Sequence, residues 1–154
     1  MIRVWRLCQS AHQATAFSGE GARRYGGRWN LKGQPAIYTA ATLSLAALEV
    51  LVHVDTDLIP NDFIAFAVDI PEDIRIEKLT PADLPHDWRE AYPQLSCQLA
   101  GSQWLTRNES AVLTAPSAII PEESNYLLNP LHPDFAKITI QLPVAFAFDA
   151  RLWR

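Results

Sequence analysis

The first chemistry legible in this chain is an arginine set between paired glycines and a tryptophan, in Gly26-Gly27-Arg28-Trp29-Asn30. A guanidinium presents a planar fork of N–H donors that matches phosphate oxygens, and glycines let a backbone approach a ligand closely or turn tightly. Further on, Glu49 stands in an otherwise apolar run of leucines, alanines and valines. A carboxylate in that company is costly unless it has a partner or a task. One reading makes it a rim carboxylate paired with His53, one helical turn away, or with an arginine. The other aims it into a cleft, where it stabilises positive charge that develops during a reaction. With Tyr38 between them, these residues suggest a site for a charged, phosphate-bearing small molecule.

Other candidates sort by the same reasoning. Arg6, Arg23, Arg24 and Arg28 lie close in sequence to Trp5, Tyr25 and Trp29. Arg23 and Arg24 read as solvated surface residues, whereas Arg6 falls within a predicted strand and Arg28 beside glycines. The stretch Ser18 to Arg24 begins like a dinucleotide-binding glycine motif but has arginine where the third glycine belongs. No strand-turn-helix surrounds it, so that motif is rejected. Ser117, in Ala-Pro-Ser-Ala, lacks the flanking glycines of a nucleophile elbow. It reads as a hydroxyl that hydrogen-bonds a ligand. Asn125 to Pro133 is dense in turn formers. The four histidines have no ligand spacing, so no metal is expected.

Composition bounds the partners. The 154 residues are 49% hydrophobic with a formal charge of −4, which predicts one domain and argues against a surface for long nucleic acid. Cys8 and Cys97 lack CxxC spacing and read as buried thiols of a reducing compartment. No signal peptide and no membrane-spanning run is visible, so a cytoplasmic location is expected, without membrane contact.

The elements that must position these residues follow from pattern. Strands are predicted over Ile2 to Leu7, Ala36 to Thr39, Asp62 to Ile70, Ile74 to Leu79, Ala111 to Thr114, Ala118 to Ile120, Lys137 to Leu142 and Val144 to Asp149. Residues 8–27 read as a long loop, and Pro121 to Pro133 as turns. Thr42 is predicted to cap a largely buried helix running to about Val54. A second helix spans Gln94 to Arg107, weakened by Gly101. Strands outnumber helices in irregular order, which favours an α+β fold over a doubly wound sheet.

Taken in order, Trp5-Arg6, Phe17-Ser-Gly19, Gly26 to Asn30, Tyr38, Glu49, Gly101 to Leu105, Pro116-Ser117 and Asn125 to Pro133 resemble the RES domain family, named for its Arg, Glu and Ser. The resemblance covers almost the whole chain. It implies an ADP-ribosyltransferase-like single domain, with a mixed or antiparallel sheet and flanking helices. It further implies a toxin of a bacterial toxin–antitoxin pair, restrained by an Xre-type antitoxin, that consumes NAD as substrate by hydrolysis or phosphorolysis or modifies a protein. A toxin dimer within the complex with antitoxin fits the same expectation. Arg28 matches the family's arginine, Glu49 its glutamate and Ser117 its serine; Arg6 and Tyr38 match further NAD-pocket positions. On that reading Glu49 stabilises the cationic transition state and Arg28 and Arg6 clamp pyrophosphate. Tyr38 stacks on nicotinamide, and Ser117 donates to phosphate or ribose. An RNA-directed toxin is the alternative from another class, and the acidic balance speaks against it.

Overall fold

The strand Phe63–Ile70 (β3) is apolar at every position but one and buried at all eight, as expected of a strand with neighbours on both sides. In the computed structural model, which describes residues 1–54 and 62–153, β3 pairs antiparallel along its whole length with Ile2–Gln9 (β1). On its other side it pairs with two short strands, Thr139–Ile140 (β7) and Val144–Phe146 (β8). The remaining strands are Ile37–Ala40 (β2), Ile76–Lys78 (β4), Val112–Pro116 (β5) and Ser124–Leu128 (β6). The sheet order is β4-β5-β6-β2-β1-β3-β7, with β8 also on β3. All pairings are antiparallel except β4 with β5, so the sheet is mixed and the fold is α+β.

Among the described residues three α-helices complete it: Glu20–Tyr25 (α1), Leu43–Leu51 (α2) and Leu95–Arg107 (α3). Three clusters share the interior. Val4, Ile37, Phe66, Val68, Ile70, Val112 and Leu128 form one. Cys97, Trp104 and Leu105 of α3 pack with Trp29, Leu113 and Leu127 in the second. Leu45 and Ala46 of α2 pack on Leu7, Ala40, Phe63 and Ala65 in the third. Thr42 caps α2 as expected, its hydroxyl accepting the Leu45 amide proton at 3.1 Å.

Five expectations need correction. Residues 8–27 contain a 3₁₀ helix (Ser10–Thr15) and α1. Residues 118–120 form no strand, whereas the supposed turn region holds β6, which lies between β2 and β5. Ser124 and Asn125 mask its strand character, and ladder bonds on both edges override their turn preference. Helix α2 ends at Leu51 and buries only Leu45 and Ala46, with Val52 beyond it 59% exposed. Cys8 is only half-buried, while Cys97 is fully buried; both thiols are free. The Asp62 to Ile70 prediction holds from Phe63 onward.

The one charge in β3 is handled by pairing. Asp69 is buried, receives a two-pronged hydrogen bond from Arg3 (2.8 and 2.9 Å) and a third from Gln141 (2.8 Å). These donors, Arg3 first, pull its carboxyl down to about 2. A depressed carboxyl stabilises the fold above its ordinary value, and that contribution is lost as pH falls through the folded value. Acid unfolding should therefore steepen between about pH 4 and pH 2, and Asp69→Asn should flatten that limb. Urea midpoints measured across this range, and identical for the two proteins in their pH dependence, would remove Asp69 from the account.

Candidate active site

The sheet opens between β1 and β2. The two strands share a single paired position, Trp5 with Ala40, although β1 stays fully laddered to β3 on its other edge. A cavity of about 1170 Å³ is lined by residues of both strands at this split, including Arg6 and Tyr38. That is at the large end for small-molecule sites. Arg28 from the segment after α1, and Glu49 with His53 from α2 and its C-terminal end, also line it. Thus four of the five residues singled out from sequence share one cavity. A shallower depression of about 550 Å³ on α3 holds a single charged residue, Arg107, which is paired with Glu77.

Among the described residues Glu49 takes neither His53 nor an arginine as partner. Its Oε1 accepts a hydrogen bond from Ser117 Oγ at 3.0 Å. Ser117 is fully buried, and its oxygen accepts in turn from the amides of Ile119 (3.1 Å) and Ile120 (3.2 Å). The hydroxyl expected to hydrogen-bond a ligand is thus engaged with the Glu49 carboxylate. Among the described residues Oε2 has no hydrogen-bond donor and is available to a ligand.

Arg6 reaches across the strand gap, where its Nη1 donates to the Tyr38 carbonyl at 3.0 Å and its guanidinium sits 6.0 Å from the Phe17 ring centre. Its Nε is buried without a partner among the described residues. Burial pulls the guanidinium below its ordinary value, which raises the benefit of an anion arriving beside it. Arg28 donates through Nη1 to the Trp88 carbonyl and through Nη2 to the Glu90 carbonyl, both at 2.9 Å. It has no carboxylate partner among the described residues, so its charge remains uncompensated.

Tyr38 lines the cavity, and its hydroxyl is held within the protein. It donates to Asn30 Oδ1 at 2.5 Å and accepts from the Trp29 amide at 3.1 Å. Burial pushes the phenol well above its usual range, so it stays neutral and acts as a surface rather than a base. The glycine pair serves this packing. Gly26 ends α1 at φ 72°, and a side chain on Gly27 would stand 2.6 Å from the Tyr38 hydroxyl.

Arg23 and Arg24 are exposed and bound to Glu20, as their surface reading required. The sequence reading missed Arg89, which lines the cavity and donates from Nε to the Ala118 carbonyl at 3.0 Å. Its position beside Trp88 repeats the arginine-aromatic pattern of Arg28-Trp29, the one signal that pointed to it. Among the described residues, three guanidiniums and one carboxylate therefore line the cavity. That balance suits an anionic ligand with a local demand for negative charge at Glu49.

Comparison with known proteins gives a consistent picture. "Toxin Res" of Photorhabdus laumondii is 43% identical over 150 residues, covering 97% of this chain and 96% of that protein. The "Prs ADP-ribosylating toxin" of a Sphingobium strain is 36% identical over 155 residues, covering 97% and 96%. The crystal structure of the M. tuberculosis MbcT–MbcA toxin–antitoxin complex contains a chain of the same fold, with TM-score 0.73 and 20% identity, over 94% of this chain and 84% of that one. The RES domain model matches residues 3–152. With that model spanning nearly the whole chain and relatives 43% and 36% identical over 97% of it, the chain belongs to the RES domain family.

Proposed function

We propose that this protein is the toxin of a toxin–antitoxin pair and cleaves NAD at the bond between nicotinamide and ribose. The observation that carries the reading is the convergence of Glu49, Arg6 and Arg28 on one cavity large enough for a dinucleotide. Nicotinamide leaves NAD as a neutral molecule from a cationic ring, so departure needs little help from an acid. The ribose is left with oxocarbenium character, as in glycoside cleavage. Glu49, with one oxygen fixed by Ser117 and the other free, meets that developing charge without reorganising. Arg6 supplies a buried cation for the pyrophosphate, and Arg28 a second that must exchange its two carbonyl partners for phosphate oxygens. The Tyr38 ring offers a flat wall for the nicotinamide. No step calls for a metal, a bound cofactor or a covalent nucleophile.

Water or inorganic phosphate would take the ribosyl group. A second reading, transfer to a protein, is favoured by the Sphingobium relative, whose name is that of an ADP-ribosylating toxin. Incubation of the purified protein with NAD should release nicotinamide, with water or with phosphate as acceptor. Isotope from labelled NAD appearing on a protein with little free product would favour the second reading. No release with any acceptor would end the first.

A cytoplasmic NAD-consuming enzyme needs restraint. We assign that to an antitoxin of Xre type whose segment fills the cavity mouth, where Tyr92 and Val52 are 82% and 59% exposed. Within such a complex the toxin would be free to pair with a second toxin copy. Neither nucleic acid nor membrane is a partner of the toxin itself in this scheme; among the described residues no helix is long and apolar enough to cross a membrane.

A further inference from the structure

A further polar group of the cavity with few partners stands on β6. Asn125 is only 9% exposed, yet it is one of the residues that line the cavity. It stands opposite Ala40 on β2 and Ala115 on β5, so its ladder neighbours offer it no polar side chain. Its single hydrogen bond among the described residues is a long one, 3.4 Å from Nδ2 to the Thr39 carbonyl. A buried amide can make up to four such bonds, and leaving most of them unmade is unfavourable.

The Thr39 carbonyl also settles which way the amide faces. With the group turned over, two oxygens would oppose each other, so Nδ2 stays on Thr39 and Oδ1 is left as an acceptor on the other side. No donor reaches Oδ1 among the described residues. The ladder places this acceptor near the reacting end of the cavity. Asn125 pairs with Ala115, and the Ser117 amide donates to the Glu123 carbonyl at 2.9 Å, so Asn125 and Ser117 are diagonal neighbours on the same side of β5 and β6. Such diagonal positions lie roughly 7–8 Å apart. Ser117 in turn holds Glu49.

Two free acceptors therefore flank one end of the cavity: Oε2 of Glu49 and Oδ1 of Asn125. A ribose offers a vicinal pair of hydroxyl donors. We infer that Asn125 is a substrate-contacting residue that accepts a hydrogen bond from one hydroxyl of the nicotinamide-side ribose, while Glu49 takes the other. This rests on the dinucleotide reading and adds to it the group that selects an intact diol. A sugar lacking the matching hydroxyl would cover the Asn125 oxygen without pairing it, which is a stronger basis for rejection than a missing apolar contact.

The test is a cycle of residue against hydroxyl, read as affinity in the Glu49→Gln background so that turnover does not intervene. NAD and its two analogues, each lacking one hydroxyl of that ribose, are titrated calorimetrically with and without Asn125→Ala. The alanine change should weaken NAD about tenfold, yet weaken one of the two analogues by less than about twofold. Equal weakening of all three ligands, or no weakening of NAD, overturns the assignment. Asn125→Ser, smaller but still able to accept, should recover part of the NAD affinity, and it repeats the cycle should the alanine protein prove unstable. Nicotinamide release by the unmodified protein separates the outcomes. Release without coupling removes Asn125 alone, whereas absence of both NAD binding and release removes the dinucleotide reading together with this one.

Discussion

Glu49→Gln should lower the rate of nicotinamide release by about 10²–10³-fold while leaving the folded protein intact. Glutamine has nearly the same shape, and its amide oxygen can still accept the hydrogen bond from Ser117 Oγ that fixes the wild-type carboxylate. What disappears is the negative charge facing the ribose. Because that charge interacts most strongly with an oxocarbenium-like transition state, kcat and kcat/KM should fall by similar factors. Thermal unfolding should be nearly unchanged, since Glu49 is half-buried and makes one side-chain hydrogen bond. Full turnover by the glutamine protein would take Glu49 out of the mechanism. A loss of activity accompanied by unfolding would instead make its role structural.

Gly101→Ala should destabilise the protein by about 3 kcal/mol or prevent folding. An added methyl at this position would lie 1.6 Å from the Trp29 carbonyl oxygen, 2.7 Å from its carbonyl carbon and 3.1 Å from its Cβ. The obstacle is backbone, so no side-chain rotation relieves it. Alanine favours a helix over glycine by about 1 kcal/mol, which works in the opposite direction and is outweighed. The affected contact is where α3 meets the Arg28-Trp29 segment. Trp29 is fully buried there, and the Leu31 amide donates to Ser102 Oγ at 2.9 Å. Any residual folded alanine protein should therefore misplace Arg28 and bind NAD more weakly. A urea midpoint equal to or above wild type would show that the helix and loop are not in this contact.

Gly101 also shows where sequence reading falls short. On propensity alone it weakens a helix; in three dimensions it is the position that lets the helix touch a loop seventy residues earlier in the chain. The same limit accounts for β6. Its Ser124 and Asn125 are turn formers, and only the presence of β2 and β5 on either edge makes them strand residues. The core strands β1 and β3 were legible because β1 is rich in β-formers in loose alternation and β3 is apolar at all but one position, and α2 because Thr42 caps a periodic apolar segment.

At the site, residue types disclosed more than roles did. Arg28 beside glycines and Glu49 among leucines were conspicuous for charge out of place, and both line the cavity. Arg6 was identified through its strand, although nothing local predicted that the sheet would split beside it. The sequence points Ser117 toward a ligand but gives no sign of its hydrogen bond to Glu49 or of its full burial. That difference depends on a contact between α2 and the end of β5, which no local pattern encodes. Arg89, beyond its place next to Trp88, and Asn125 join the cavity through tertiary neighbours.

The central claim is that the guanidiniums of Arg6 and Arg28 and the carboxylate of Glu49 surround one dinucleotide. A structure of the Glu49→Gln protein with NAD bound addresses it most directly. The account predicts the pyrophosphate within hydrogen-bond reach of Arg6 and Arg28, Arg28 released from the Trp88 and Glu90 carbonyls, and the nicotinamide-side ribose against residue 49. NAD seated elsewhere on the molecule, or lying in the cavity with its ribose remote from residue 49, would contradict it.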